Sequence, residues 1–176
     1  LLSSDKSEPL VTQLDPDAVT RQRQSLQKQD QFYERATWMT CWKMLRHGES
    51  WFKIRDWCAE RLETWRAVSI CGTSVDVESH TGRTPVDDGH TRFMNWRSQE
   101  SWRAACSALA RSSHAEDFER AVYALLCGET EAAFKVCHTW DDYLFVHFNS
   151  VLLSRYQGFC KQFQRKLSHS PTTPVA

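Results

Sequence analysis

The sequence predicts an all-α protein, an irregular α-solenoid of stacked helical hairpins interrupted by one long polar loop. Three observations predict it. Long stretches free of glycine and proline carry apolar residues three or four apart, which is the period of a helix with one buried face. Glycines stand where those stretches stop, as C-terminal caps do. Two segments repeat one plan, Glu34-Arg35-Ala36 leading to Leu45-Arg46-His47-Gly48-Glu49 and Glu119-Arg120-Ala121 leading to Leu125-Leu126-Cys127-Gly128-Glu129. Each such unit offers an apolar face that only a neighbouring unit can cover.

The first helix is expected to start at Leu14-Asp15-Pro16-Asp17-Ala18, where Asp15 can cap, Pro16 suits the first helical position and Asp17 complements the dipole. It is expected to run unbroken over 16–47 on a stripe of Phe32, Ala36, Met39, Trp42 and Leu45, and to end at Gly48. A second helix follows over 49–62 with Phe52, Ile54, Trp57 and Cys58. A short third one holds Trp65, Ala67, Val68 and Cys71 before Gly72.

Between Thr73 and Thr91 the composition turns to Ser, Thr, Asp, Gly and His, with Gly82, Pro85 and Gly89 as breakers, which reads as a mobile surface insertion. Helicity resumes near Phe93 and runs to about Arg111, with Trp96, Trp102, Ala105, Cys106 and Leu109 inward. Helices over 116–127 and 130–137 come next. The last, over 141–163, has Tyr143, Leu144, Val146, His147, Phe148, Val151 and Leu152 dense enough to be buried on several sides. The organisation expected is therefore a linker over 1–13, a first helical stack over 14–72, a flexible insertion over 73–92, a second stack over 93–166 and a proline-punctuated linker over 167–176.

Composition excludes several functions. Apolar residues at 41% and charged residues at 25% are those of a folded chain, not a disordered one. Net charge is zero with the two signs intermixed, so nothing collects a phosphate backbone and no direct nucleic-acid partner is expected. No apolar run reaches the length of a membrane span, and a start at Leu1-Leu2-Ser3-Ser4 suggests a soluble piece of something longer. The seven cysteines are dispersed without a C-x-x-C pair and read as reduced thiols in an intracellular protein.

No catalytic, cofactor or metal site is expected. Cys137 and His138 are adjacent and diverge by roughly 100° on a helix, which is wrong for zinc. Asp141 and Asp142 after Thr139-Trp140 suit a helix start, and Asp87-Asp88 lack the alternating spacing of a calcium loop. His147 is assigned to packing, and the basic end at Lys161, Arg165 and Lys166 answers the helix dipole. The residues singled out are the packing anchors Trp42, Trp57, Trp65, Trp102 and Trp140, large rings suited to helix crossings. A buried Trp65 would lose about 3–5 kcal/mol on truncation to alanine. The sequence assigns no binding residue.

The ordered series Leu14-Asp15-Pro16-Asp17-Ala18, Leu45-Arg46-x-Gly48, Trp65-Arg66-Ala67, Glu119-Arg120-Ala121-Val122-Tyr123-Ala124-Leu125 with Gly128, and Thr139-Trp140-Asp141-Asp142 resembles the Y-complex scaffold nucleoporins, called nucleoporin eighty-four in fungi and one-hundred-seven in vertebrates. The chain departs at Val68-Ser69-Ile70-Cys71, where the family has a fuller run of small residues, and in the insertion after Gly72. The resemblance covers about residues 14–163 and implies an internal fragment of a fungal member, with a coat-type helical element of the ancestral coatomer kind and a structural role in the nuclear pore complex at the nuclear envelope. It implies other Y-complex nucleoporins as partners. A crown-type contact with the neighbouring long-stalk scaffold nucleoporin would remain, and the tail-module contact would be absent. The rival reading is a cytoplasmic helical adaptor or vesicle-coat-like scaffold.

Overall fold

The computed structural model describes residue 10, residues 18–71 and residues 89–168, and every regular element among them is a helix. In order these are α1 (Ala18–Gln22), α2 (Lys28–Arg46), α3 (Trp51–Ala59), α4 (Thr64–Cys71), α5 (Gly89–Ala110), α6 (Asp117–Cys127), α7 (Glu131–Lys135) and α8 (Trp140–Ser168). The capping sequence at Asp15-Pro16-Asp17, most of the insertion and the C-terminal linker lie outside the described residues.

Helix α6 is the centre of the fold. It is packed by α2, α5 and α7, and α4 and α8 also touch it. Its residues 121–125 are all buried, an apolar run wide enough for partners on several sides. Glu116 caps its start, its carboxylate accepting from the Phe118 N–H at 2.7 Å while also pairing with Arg35 of α2 at 2.8 Å. At the other end Glu129 accepts from Ser107 Oγ at 2.6 Å and from Arg111 at 2.6 Å, which fixes α5 against the α6 terminus.

Helix ends follow the glycine reading. Gly48 has φ of +68°, with the Gly48 and Glu49 N–H groups returning to the carbonyls of Leu45 and Met44, both at 3.0 Å. Gly128 has φ of +86°, and a Cβ there would stand 3.3 Å from Leu153 Cβ, so a side chain is disfavoured by backbone conformation and by the close approach of α8. Helix α8 also serves the α6 carbonyls directly. Asn149 Nδ2 donates to Leu125 O at 2.8 Å and Ser150 Oγ donates to Gly128 O at 2.7 Å.

Helix α3 ends in the same manner without a glycine. Leu62 has φ of +60°, and the Glu63 N–H reaches Cys58 O at 3.0 Å. Its side chain is 91% exposed, so it loses little by removal while the left-handed conformation costs a leucine about 1–2 kcal/mol. Leu62→Gly is therefore expected to raise stability by about 0.5 kcal/mol once the extra freedom of glycine in the unfolded chain is subtracted. Urea denaturation followed by circular dichroism measures it, and a fall instead would show that the leucine packs in solution.

Three expectations are corrected. The first helix does not run unbroken over 16–47, because the chain breaks after α1 at Arg23, with φ of +51°, and restarts at Lys28. The run Arg21-Gln22-Arg23-Gln24-Ser25 has no apolar face to bury, and propensity alone does not sustain a turn. The buried stripe of α2 is Thr37, Trp38, Cys41 and Trp42, whereas Phe32 is 72% exposed and Ala36 is also exposed. Two registers with the same period compete there, and the one that buries two indoles prevails. In α5, which starts at Gly89 rather than near Phe93, Cys106 and Ala110 are buried, while Ala105 and Leu109 are exposed.

Candidate functional site: a buried arginine cluster and a bare helix face

The main core is joined around one charged residue. Arg66, in the first turn of α4, is completely buried. Its Nη2 donates to both carboxylate oxygens of Glu34 on α2, at 3.0 and 3.1 Å, and its Nε donates to Glu63 at 3.0 Å. The guanidinium lies 4.2 Å from the Trp38 ring centre and 4.5 Å from that of Trp65. Trp38 in turn meets Trp65 edge-on at 6.3 Å and Tyr123 of α6 at 5.5 Å.

A second layer of hydrogen bonds extends the cluster. Tyr123 Oη lies 3.0 Å from Ser69 Oγ, and Trp102 Nε1 of α5 donates to the Ser69 carbonyl at 2.9 Å. Helices α2, α4, α5 and α6 thus converge on the segment Trp65–Ser69. Burial alone would disfavour the Arg66 charge, but the Glu34 and Glu63 carboxylates raise its pKa above the ordinary arginine value. Glu119 on α6 faces the opposite situation. Burial first and the Glu34 charge second push its carboxyl up to about 7, against the partial relief that Arg66 supplies.

At the other end of α2, Arg46 pairs with Asp142, the third residue of α8. Thr139 and Asp142 form a reciprocal cap. Thr139 Oγ1 accepts from the Asp142 N–H at 3.2 Å, and the Asp142 carboxylate accepts from the N–H groups of Thr139 and His138 at 3.0 and 3.2 Å. Burial opposes the Asp142 charge, yet these hydrogen bonds and Arg46 hold its carboxyl below the usual carboxylate range. The capping role read for this pair is thus observed for Asp142, with an ion pair to α2 in addition.

The five tryptophans read as packing anchors are placed differently. Trp42 is 4% exposed within the main core, and Trp57, Trp65 and Trp102 are partly buried against it. Trp140 is 75% exposed, which corrects its assignment as an anchor in this chain: it is the first residue of α8 and turns away from α6 and α7. Trp38, at 1% exposure, is the anchor the sequence reading missed. Its signal was its place four residues before Trp42. Trp140→Ala is expected to change stability by less than about 0.5 kcal/mol and Trp38→Ala to lower it by about 3–5 kcal/mol, as measured by urea denaturation of the two variants side by side.

Helix α8 is the larger correction. Among the described side chains of α8, Val146 is the only buried apolar one, and His147 is exposed rather than packed. Leu144, Phe148, Leu152, Phe159 and Phe163 form an outward ridge with exposures between 37% and 66%. The helix touches α6 and α7 along one side, and of the residues expected to be core Val146 is buried and Val151 half-buried, while Tyr143, Leu144, His147, Phe148 and Leu152 are exposed.

Chemistry has little to work with here. Cys106 is pushed up to about 12 by burial and the neighbouring Cys127, and Cys137 to about 11 by burial, so these thiols stay protonated. Cys41 and Cys58 hydrogen-bond one another in the interior, which raises the first and lowers the second. Among the described residues no three His, Cys, Asp or Glu side chains converge as a metal set, and no helix is long and apolar enough to cross a membrane. Asp87-Asp88 lie outside the described residues.

Among the described residues the chain is thus an all-helical protein centred on a buried ion cluster, with one helix face uncovered. A family model described as nuclear pore protein 84 / 107 matches residues 2–175, and the chain belongs to that family. It is thus by family a nuclear pore complex nucleoporin. It is 44% identical to nucleoporin NUP84 of Chaetomium thermophilum over 156 residues, 87% of this chain and 15% of that protein. It is 29% identical to nucleoporin nup107 of Schizosaccharomyces pombe over 85% of this chain and 18% of that protein. The same identity holds for nuclear pore complex protein Nup107 of Homo sapiens, over 82% of this chain and 15% of that protein. The chain therefore spans less than a fifth of each relative's length.

Proposed function

We propose that the chain is a scaffold element of the Y-shaped subcomplex of the nuclear pore, supporting nucleocytoplasmic transport of mRNA and protein. The observation that carries the reading is the family match over almost the whole chain. It acts through helix-to-helix interfaces without cofactor, metal or catalysis. Its helices belong to an irregular α-solenoid of the ancestral coatomer type, and its partners are other Y-complex nucleoporins, including the neighbouring long-stalk scaffold nucleoporin through a crown-type helical interface. The interspersed charges support the absence of a direct nucleic-acid partner.

The rival, a helical adaptor or vesicle-coat-like scaffold in the cytoplasm, draws support from one feature. A groove of about 390 Å³ opens between Leu45, Trp102, Leu125, Leu153 and Tyr156, and an aromatic-lined groove is what a peptide-gripping helical protein needs. Affinity isolation of the tagged full-length protein from cells separates the two. Near-stoichiometric recovery of Y-complex nucleoporins is expected, whereas recovery of coat subunits or RNA-processing factors in their place would overturn the proposal.

A further inference from the structure

Two of the buried thiols face one another. Cys41 of α2 and Cys58 of α3 are both fully buried, and their sulfurs are hydrogen-bonded. The turn over 47–50 sets them at similar heights on its two sides. Cys41 stands five residues before the end of α2 at Arg46, and Cys58 seven after the start of α3 at Trp51, roughly 8 and 11 Å from the turn. The helix faces agree. Leu45, one turn on from Cys41, packs against the small cluster of Ile54, Cys58 and Ala67. Among the described residues no set of metal ligands forms around the pair, so the chemistry open to it is that of two thiols.

Full burial keeps an oxidant out of the closed fold, and α3 is the element placed to open. Of its described side chains only Ile54 and Cys58 are buried, and its closest packing is on α4. It is flanked on both sides by left-handed residues, Leu62 and Gly48, and a Cβ at Gly48 would meet nothing within 4 Å. Helix α4 is held more firmly, by Arg66 to Glu34 of α2 and by Trp102 of α5 to Ser69. Local opening of α3 about its two ends therefore uncovers Cys58, and Cys41 beneath it, while α4 stays in place.

We infer that Cys41 and Cys58 form a reversible disulfide that pins α3 to α2 when the protein meets hydrogen peroxide. The hydrogen bond from Cys41, and with it the Arg66 charge, hold the Cys58 thiol below its ordinary value against the opposing effect of burial, which makes Cys58 the attacking sulfur. Its thiolate attacks one peroxide oxygen. The S–O bond forms, the O–O bond breaks, and the hydroxide released takes up a proton as water. The Cys41 sulfur then attacks the Cys58 sulfenic acid. The S–S bond forms, the S–O bond breaks, and the departing hydroxide leaves as water with the Cys41 proton. Two electrons pass from the thiol pair to one peroxide, and a dithiol reductant returns them.

The test uses the purified full-length protein, reduced and then exposed to graded hydrogen peroxide. Remaining thiols are blocked with N-ethylmaleimide, and the protein is digested without reduction for mass spectrometry. A peptide joining Cys41 to Cys58 is expected as the main cross-link, lost on treatment with dithiothreitol, with Cys106 and Cys137 recovered as blocked thiols. Amide hydrogen exchange across α3 is expected to slow roughly tenfold in the oxidised protein. Recovery of Cys41 and Cys58 as blocked thiols at every peroxide level would overturn the inference, as would a cross-link that forms only in urea. Unchanged exchange across α3 in the cross-linked protein would overturn it too, since the bond would then pin nothing.

Discussion

Arg66→Ala is expected to lower the stability of the fold by about 3–5 kcal/mol, the range found when one member of a buried ion pair is removed and its partner left behind. The variant would leave Glu34 and Glu63 without the cation that donates to both, and Glu119 without the charge that offsets them. It would also open a space between Trp38 and Trp65, both in contact with the guanidinium face. Two companion variants separate charge from packing. Arg66→Lys keeps the charge but cannot bond Glu34 and Glu63 through a planar fork, so most of the loss should remain. Arg66→Met keeps much of the volume against the indoles, and its loss should exceed that of Arg66→Met combined with Glu34→Gln, where no acid is stranded on α2. Urea denaturation at neutral pH, read by tryptophan fluorescence and by circular dichroism, gives the values. A loss below about 1 kcal/mol for Arg66→Ala would mean that water already solvates this arginine in the folded protein.

Why Arg66 went unread while its neighbours were noticed is instructive. Trp65-Arg66-Ala67 belongs to the series that carries the family resemblance, and of its three residues the tryptophan alone is a legible packing signal, because a large ring suits a helix crossing. The value of the arginine depends on Glu34, 32 positions earlier, and on two indoles from different helices. No local pattern contains that conjunction. What was local was legible: the glycine caps at Gly48 and Gly128, and the Asp142 carboxylate at the start of α8. The partnership of that same Asp142 with Arg46 was not, since it joins the end of one helix to the start of another through space.

Helix α8 shows the same limit from the apolar side. A dense run of leucine and aromatic residues is equally consistent with a helix buried on all sides and with one buried on one side and awaiting a neighbour. Sequence periodicity records that a face is apolar and is silent about what covers it. In a protein whose units are meant to be covered by other units, the two cases are physically the same surface at different stages of assembly.

The pH dependence of stability should carry the mark of Glu119. Its folded value of about 7 lies above the ordinary 4.5, so the folded state binds a proton that the unfolded state has released in the interval between them. The stability contributed by the protonated carboxyl is fully present below about 4.5 and is lost as pH rises through about 7. The acid faces Glu34 from α2 and Arg66 from α4, with Glu116 one turn back on its own helix, so ionisation adds a negative charge to a site already rich in it. Glutamine copies the protonated form at every pH. Glu119→Gln should therefore match the parent near pH 4 and exceed it by about 2 kcal/mol at pH 8, somewhat less than the full shift converts to. Asp142 and Glu129 act with the opposite sign, their lowered values removing stability as pH falls, and they do so equally in both proteins. Subtracting one stability curve from the other cancels them. A difference that is flat from pH 4 to 8 would show that Glu119 is solvated, whereas a rise that runs from about 4.5 to about 7 and levels off above it would establish this acid as the group through which neutral pH loosens α6 from α2 and α4.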